Sequence, residues 1–174
     1  MNTFDGIPMQ GTLQITTRDA ATGAVLRTFT IKNKITFLAA NVLVELIAQR
    51  ATDPAPAQDM IYSMRMGTSS TAAQRSDTNL GAFVIGKVIG DSGKVNGAPG
   101  NITFIATLAS GDANGNTLTE AGLFTAGSSP STSDVPGTNP GQTRLFAHQI
   151  YPGIPKTVAI VIDYSWTIAF TAVP

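Results

Sequence analysis

The chain has 174 residues, 43% of them hydrophobic and only 13% charged, with 11 basic and 11 acidic side chains that cancel and no cysteine. That length suits one domain able to bury a core without disulfide or metal support, and a charged fraction about half the usual ~25% leaves self-association unopposed. Zero net charge argues against nucleic acid, whose phosphates demand a basic excess, and the missing thiols exclude disulfides, thiol catalysis and cysteine-ligated metals.

Residues 1–10 read as an N-terminal arm ahead of a single domain over 11–174, and the arm lacks the basic start and apolar core of a signal peptide. No apolar stretch approaches the ~18 residues of a membrane span. From Gly11 the pattern alternates, with Leu13 and Ile15 against Gln14 and Thr16. The turn Ala20-Ala-Thr-Gly23 follows, then Val25, Leu26, Phe29 and Ile31, which together predict a β-hairpin. The period then lengthens. Ile35, Leu38, Ala39, Val42, Leu43, Leu46 and Ile47 recur at helical spacing, predicting one α-helix over about 35–50 that packs against a sheet. Asn33 or Thr36 would cap its start, and Pro54 and Pro56 end it.

Further strands are expected at Met60–Met66, Ala82–Val88, Asn101–Leu108 and Leu118–Thr125, with Ala72–Gly81 as polar loop. Long loops are expected at 89–100 and 126–142. The second, at about 17 residues, exceeds the usual loop length, and such loops are commonly functional or disordered. The strongest pattern closes the chain. Val158, Ile160, Ile162, Tyr164, Trp166, Ile168 and Phe170 alternate with small or polar residues, a run longer than a typical strand that is expected to bend at Asp163–Ser165 or to form two strands. The fold class expected is all-β, a β-sandwich or a jelly-roll-like barrel with one helix packed on it.

Residues that carry chemistry are sparse. His148 is the sole histidine, in the alternating segment Arg144–Ile150, and no Gly-x-Ser-x-Gly elbow accompanies it, so a strand histidine bonded to a neighbour is expected over a catalytic one. Glu120 sits among apolar residues on a predicted strand and needs a partner, for which Arg65 and Arg144 are candidates. Asp112-Ala-Asn-Gly-Asn116 opens like a calcium loop, but Thr117 stands where glycine is required and Leu123 where glutamate is. Hairpin-turn chemistry is the better reading. Asn101-Ile-Thr103 matches a glycosylation sequon without a secretion signal. No nucleotide motif occurs, and no catalytic, cofactor or metal residue is assigned.

Several segments, met in order, carry a resemblance. They are Lys32-Asn-Lys34 before the helix, Met66-Gly-Thr-Ser-Ser-Thr-Ala72, Asp77-Thr-Asn-Leu80, Ile102-Thr-Phe104, the Ala113-Asn-Gly turn and Leu118-Thr-Glu-Ala-Gly-Leu-Phe124. Leu145-Phe-Ala-His148, Ile154-Pro-Lys-Thr157 and Tyr164-Ser-Trp-Thr-Ile168 complete the set. Over about Ile31 to Thr171 the chain resembles a widespread type of bacteriophage structural protein that includes capsid decoration (cement) proteins and tail or baseplate components. The resemblance implies a non-enzymatic virion protein, assembled in the host cytoplasm. It would bind the outer surface of the major capsid protein and stabilise the head, as a homo-oligomer (dimer or trimer), without cofactor, nucleic acid or membrane. The arm 1–10 and the loops 89–100 and 126–142 are the expected contacts. A tail, fibre or baseplate component is the alternative, with a carbohydrate-binding module or a β-barrel enzyme behind it.

Overall fold

The computed structural model describes residues 9–39, 61–89, 93–97, 100–126 and 143–170. Its strands are β1 (Met9–Asp19), β2 (Val25–Ile35), β3 (Ile61–Gly67), β4 (Phe83–Val88), β5 (Lys94–Asn96), β6 (Asn101–Leu108), β7 (Thr117–Thr125), β8 (Leu145–Pro155) and β9 (Ile160–Phe170). All pairings are antiparallel, in the order β4-β3-β7-β8-β2-β1-β9-β6-β5. The path bends sharply between β8 and β2, which pair only through Lys34–His148 and Ile35–Ala147. Two sheets therefore pack face to face, β2-β1-β9-β6-β5 against β8-β7-β3-β4, as a β-sandwich. The barrel alternative is not realised, because among the described residues β4 and β5 end the path without meeting.

Alternation explains which face is dry. Successive residues of a strand point to opposite sides, so one register decides every side chain. On β1, Leu13 and Ile15 turn inward, and on β9 Ile162, Tyr164, Trp166 and Ile168 do the same, all fully or nearly fully buried. Leu13, Trp166 and Phe104 form one cross-strand row, and Ile15, Tyr164 and Ala106 the next. Met64, Met66, Ala121, Leu123, Ala147, Tyr151 and Ile154 meet them from the other sheet. Within this core the hydroxyls of Tyr151 and Tyr164 bond each other at 2.9 Å. Burial pushes both phenols above their ordinary pKa, so the pair stays neutral. Tyr151→Phe alone is expected to cost about 1–3 kcal/mol by leaving one dry hydroxyl without a partner, whereas adding Tyr164→Phe recovers most of that loss. Urea denaturation of the two single variants and the double variant measures it.

Several expectations are corrected. The helix expected over about 35–50 starts at residue 37, because Ile35 still belongs to β2, and among the described residues it covers 37–39. The rest of that span lies outside the described residues. Neither expected cap acts as one. Asn33 is within β2, and the Thr36 hydroxyl donates to the carbonyls of Leu145 and Phe146, at 2.6 and 3.1 Å, tying the chain to β8. β9 is a single unbroken strand of 11 residues. No bend forms at Asp163, because Arg18 and the Thr107 hydroxyl satisfy its carboxylate on the outer face. Val158 falls in the turn before β9 and is exposed. The span 89–100 contains the short strand β5, paired to β6. The arm expected at 1–10 contributes Met9 and Gln10 to β1, and residues 1–8 and 127–142 lie outside the described residues. No helix among the described residues is long and apolar enough to cross a membrane.

Candidate functional site

In the middle of the β8-β7-β3-β4 sheet both faces are buried, although only one faces the core. On β3 and β7 nearly every residue is inaccessible, whichever way it points. The polar loop 68–82 causes this by folding back over the outer face as a strap. Its ends close on each other through the Thr68 N–H to Ala82 carbonyl bond at 2.9 Å. Leu80 of the strap packs with Phe124 and Leu145 in a second, smaller apolar cluster.

A sequence so rich in Ser, Thr, Asn and Gly cannot hold a strap by apolar contact alone, and a carboxylate does most of the holding. Glu120, fully buried on β7, accepts from the backbone N–H groups of Ser69 (3.1 Å), Gly81 (2.9 Å) and Ala82 (2.7 Å). Thr119 adds a hydroxyl bond to the Ser69 carbonyl at 2.8 Å. Gly67 makes room, since a Cβ there would overlap the Ala82 carbonyl oxygen and the Glu120 carboxylate. Gly122, directly across from His148, lies so close beneath Leu80, Phe124 and Leu145 that a Cβ would collide with them.

His148 completes the arrangement. Its Nε2 lies 3.1 Å from Glu120 Oε2 and its Nδ1 lies 2.6 Å from Asp77 Oδ2, with the ring almost entirely buried. Asp77 also accepts the Gln74 N–H at 2.7 Å, which turns the strap toward the ring. Ionised carboxylates only accept, so a ring that faces one at each nitrogen must donate from both and carry a positive charge. Burial on its own would pull the imidazole pKa down, but hydrogen bonding to Glu120 and Asp77, with their charge, outweighs it and raises the pKa above its ordinary value. Burial likewise pushes the Glu120 carboxyl up, but the bonds from His148, Ala82, Gly81 and Ser69 leave it below its ordinary value. Below its raised pKa the ring is an imidazolium clamped between two carboxylates.

Stability should therefore depend on pH on two sides. A raised histidine contributes fully below its unfolded pKa of 6.5 and loses that contribution as pH climbs through the folded value. A lowered glutamate contributes above its unfolded pKa of 4.5 and loses it as pH falls through the folded value. The melting temperature is expected to be highest between these two values and to decline on either side. His148→Gln should flatten the alkaline decline and weaken the acid one without abolishing it, because Ala82, Gly81 and Ser69 still bond Glu120, as thermal melts across a pH series would record.

The expected partners of Glu120 are corrected. Arg65 lies with its guanidinium 4.4 Å from the centre of the Phe124 ring, two strands from His148 in the same cross-strand row, and Glu120 pairs with His148. Arg144 takes no part in the Glu120 contacts, because β8 brings His148 to that carboxylate and places Arg144 beyond its end, beside Thr125. His148 is bonded to neighbours, as expected, but to two carboxylates where one partner or the backbone was anticipated. Asp77 was missed as a participant, although Asp77-Thr-Asn-Leu80 had been singled out as a segment. Its only sequence signal is a lone acid in a polar stretch, three residues before the apolar Leu80.

The turn that opens like a calcium loop is occupied by the chain's own cations. Lys156, buried on the connection after β8, donates to the Ser110 carbonyl (3.2 Å), Asn114 Oδ1 (3.2 Å) and the Thr157 carbonyl (2.9 Å). Asp112 pairs with Lys87 at 2.7 Å and accepts the Ala109 N–H at 2.7 Å. Gly115, at a φ of 85°, makes the reversal, and its N–H donates to the Lys156 carbonyl at 2.9 Å. Among the described residues no group of three or more His, Cys, Asp or Glu is arranged to hold a metal ion.

No protein-family model, no curated protein and no solved structure gives a match to this chain.

Proposed function

We propose that the chain is a structural component of a bacteriophage virion, a capsid decoration protein bound to the outer surface of the major capsid protein. The observation that carries this reading is a convergence. Four of the segments on which the phage resemblance rests supply the clamp: Thr68 to Ser70 and Asp77 to Leu80 belong to the strap, Glu120 comes from Leu118–Phe124, and His148 from Leu145–His148. Segments scattered through the sequence are thus parts of one physical device that braces a loop on a sheet. That supports a fold built for mechanical persistence. The low charge and zero net balance support packing among neutral neighbours without repulsion. The state of His148 supports a non-enzymatic role, because both nitrogens are engaged and the ring lies under the strap, away from any substrate.

The test is co-sedimentation of the purified chain with capsid shells that lack it, and immunogold labelling of intact virions. Saturable binding at micromolar concentration with gold over the head supports decoration. Gold confined to the tail assigns the chain to a tail or baseplate part, and no labelling removes it from the virion.

A further inference from the structure

We propose that the free edge of β2 pairs antiparallel with the same edge of a second copy, joining two chains through one continuous sheet. The inference concerns self-association and stands apart from the virion reading. β2 is hydrogen-bonded to β1 from Val25 to Asn33, but β8 reaches its other edge only at Lys34 and Ile35. Among the described strands nothing else lies along that edge.

The register tells which backbone groups are left open. Asp19 N–H donates to the Ala24 carbonyl across the hairpin, whereas Ala20 N–H donates to the Ala159 carbonyl toward β9. Odd residues of β1 therefore bond to β2 and even ones to β9. Arg27, Phe29, Ile31 and Asn33 lie opposite odd residues of β1, so Thr28, Thr30 and Lys32 turn their N–H and C=O groups outward, while Leu26 is the extra residue of a β-bulge. The Thr36 N–H to Phe146 carbonyl bond continues the same parity onto β8.

Other edges are blunted in the ways proteins usually adopt. The free stretch of β8 carries Pro152 and Pro155, β5 has three residues, and β4 is short with Lys87 tied to Asp112. β2 has no proline, and it exposes Val25 (63%) and Leu26 (58%).

A second copy fits this edge because the edge is self-complementary. Antiparallel pairing about Phe29 sets Thr28 opposite Thr30, which engages the outward backbone groups of both, and brings the bulged Leu26 beside Lys32. The intervening positions place Arg27 opposite Ile31 and Phe29 opposite its own counterpart, at the close spacing where aromatic pairs contribute most. Neither cation meets a like charge, and the lysine stem covers the leucine. Both halves of such a contact are the same surface, as a two-fold dimer requires.

Sedimentation equilibrium of the full chain at micromolar concentration should give a dimer. Thr30→Pro removes an outward N–H that β1 does not use, so it should return the protein to monomer with an unchanged circular dichroism spectrum. Because the chain has no cysteine, Phe29→Cys should form a disulfide-linked dimer on mild oxidation, while Ile31→Cys, which faces Arg27 of the second copy, should not. A monomeric chain overturns the proposal, as does an oligomer indifferent to Thr30→Pro. Should that variant fail to fold, equal cross-linking at positions 29 and 31 overturns it as well.

Discussion

Glu120→Ala is expected to lower stability by about 3–5 kcal/mol, the cost of removing one partner from a buried charge cluster. Three backbone N–H groups, those of Ser69, Gly81 and Ala82, lose their acceptor together, and the His148 imidazolium loses one of its two counter-charges. Each buried donor left without an acceptor costs more than a hydrogen bond normally contributes. Against a total stability of roughly 5–15 kcal/mol, the variant would stand close to the unfolding threshold. Glu120→Gln should be milder, since the carbonyl oxygen can still accept from Ser69 and Ala82 while the ring keeps Asp77 as its counter-charge. Urea denaturation gives the magnitude, and hydrogen exchange gives the location. Ser69, Gly81 and Ala82 amides should exchange faster in Glu120→Gln, with the core amides of β1 and β9 unchanged. Equal loss of protection throughout would show that the clamp braces the whole sandwich and not the strap.

Trp166→Ala should cost a comparable amount, about 3–5 kcal/mol, by a different route. Trp166 is fully buried on β9 between Leu13 and Phe104, at the centre of the dry layer. Deleting the indole removes apolar area and leaves a cavity that neighbouring strands, fixed by their ladders, can only partly close. Trp166→Phe should cost much less. Its ring still fills most of the space, and it also dispenses with an Nε1 N–H that meets no acceptor among the described residues. Circular dichroism in a denaturant series distinguishes the two, since the replaced residue is the only tryptophan and fluorescence is lost. Unlike the Glu120 variants, these should show no altered pH dependence.

The contrast between these two sites reflects how each was written in the sequence. Trp166 was legible as a core residue because its neighbours at two-residue spacing, Ile162, Tyr164 and Ile168, share its face, and strand geometry turns that spacing into burial. The hairpin β1–β2 was legible for the same reason. β5 was not, because three residues among Gly, Asn and Pro carry no measurable period. The helical pattern from Ile35 misplaced the end of β2. Ile35 satisfies both a helix face and a strand alternation, and only the pairing with Ala147 on β8 selects the strand.

The clamp was half legible. Glu120 and His148 stood out singly, one as a carboxylate among apolar residues and the other as a lone histidine in a strand. Arginines were natural partners for the first because nothing local indicates which cation the fold delivers. His148 is separated from Glu120 by 28 residues and from Asp77 by 71. No periodicity reaches across such distances.

By itself, then, the sequence determined the strand content, the inward face of each long strand, and a core that needs no cross-link. All of these follow from side-chain spacing along a backbone with few allowed conformations. Tertiary structure decided what depends on register and strand order. It brought the strap onto the outer face, set one histidine between two carboxylates, filled the calcium-like turn with Lys156, and, among the described strands, paired β8 with β2 only at Lys34 and Ile35. Those outcomes turn on which distant groups meet in a dry place, where an unmatched charge or hydrogen bond is costly and a matched one fixes the geometry.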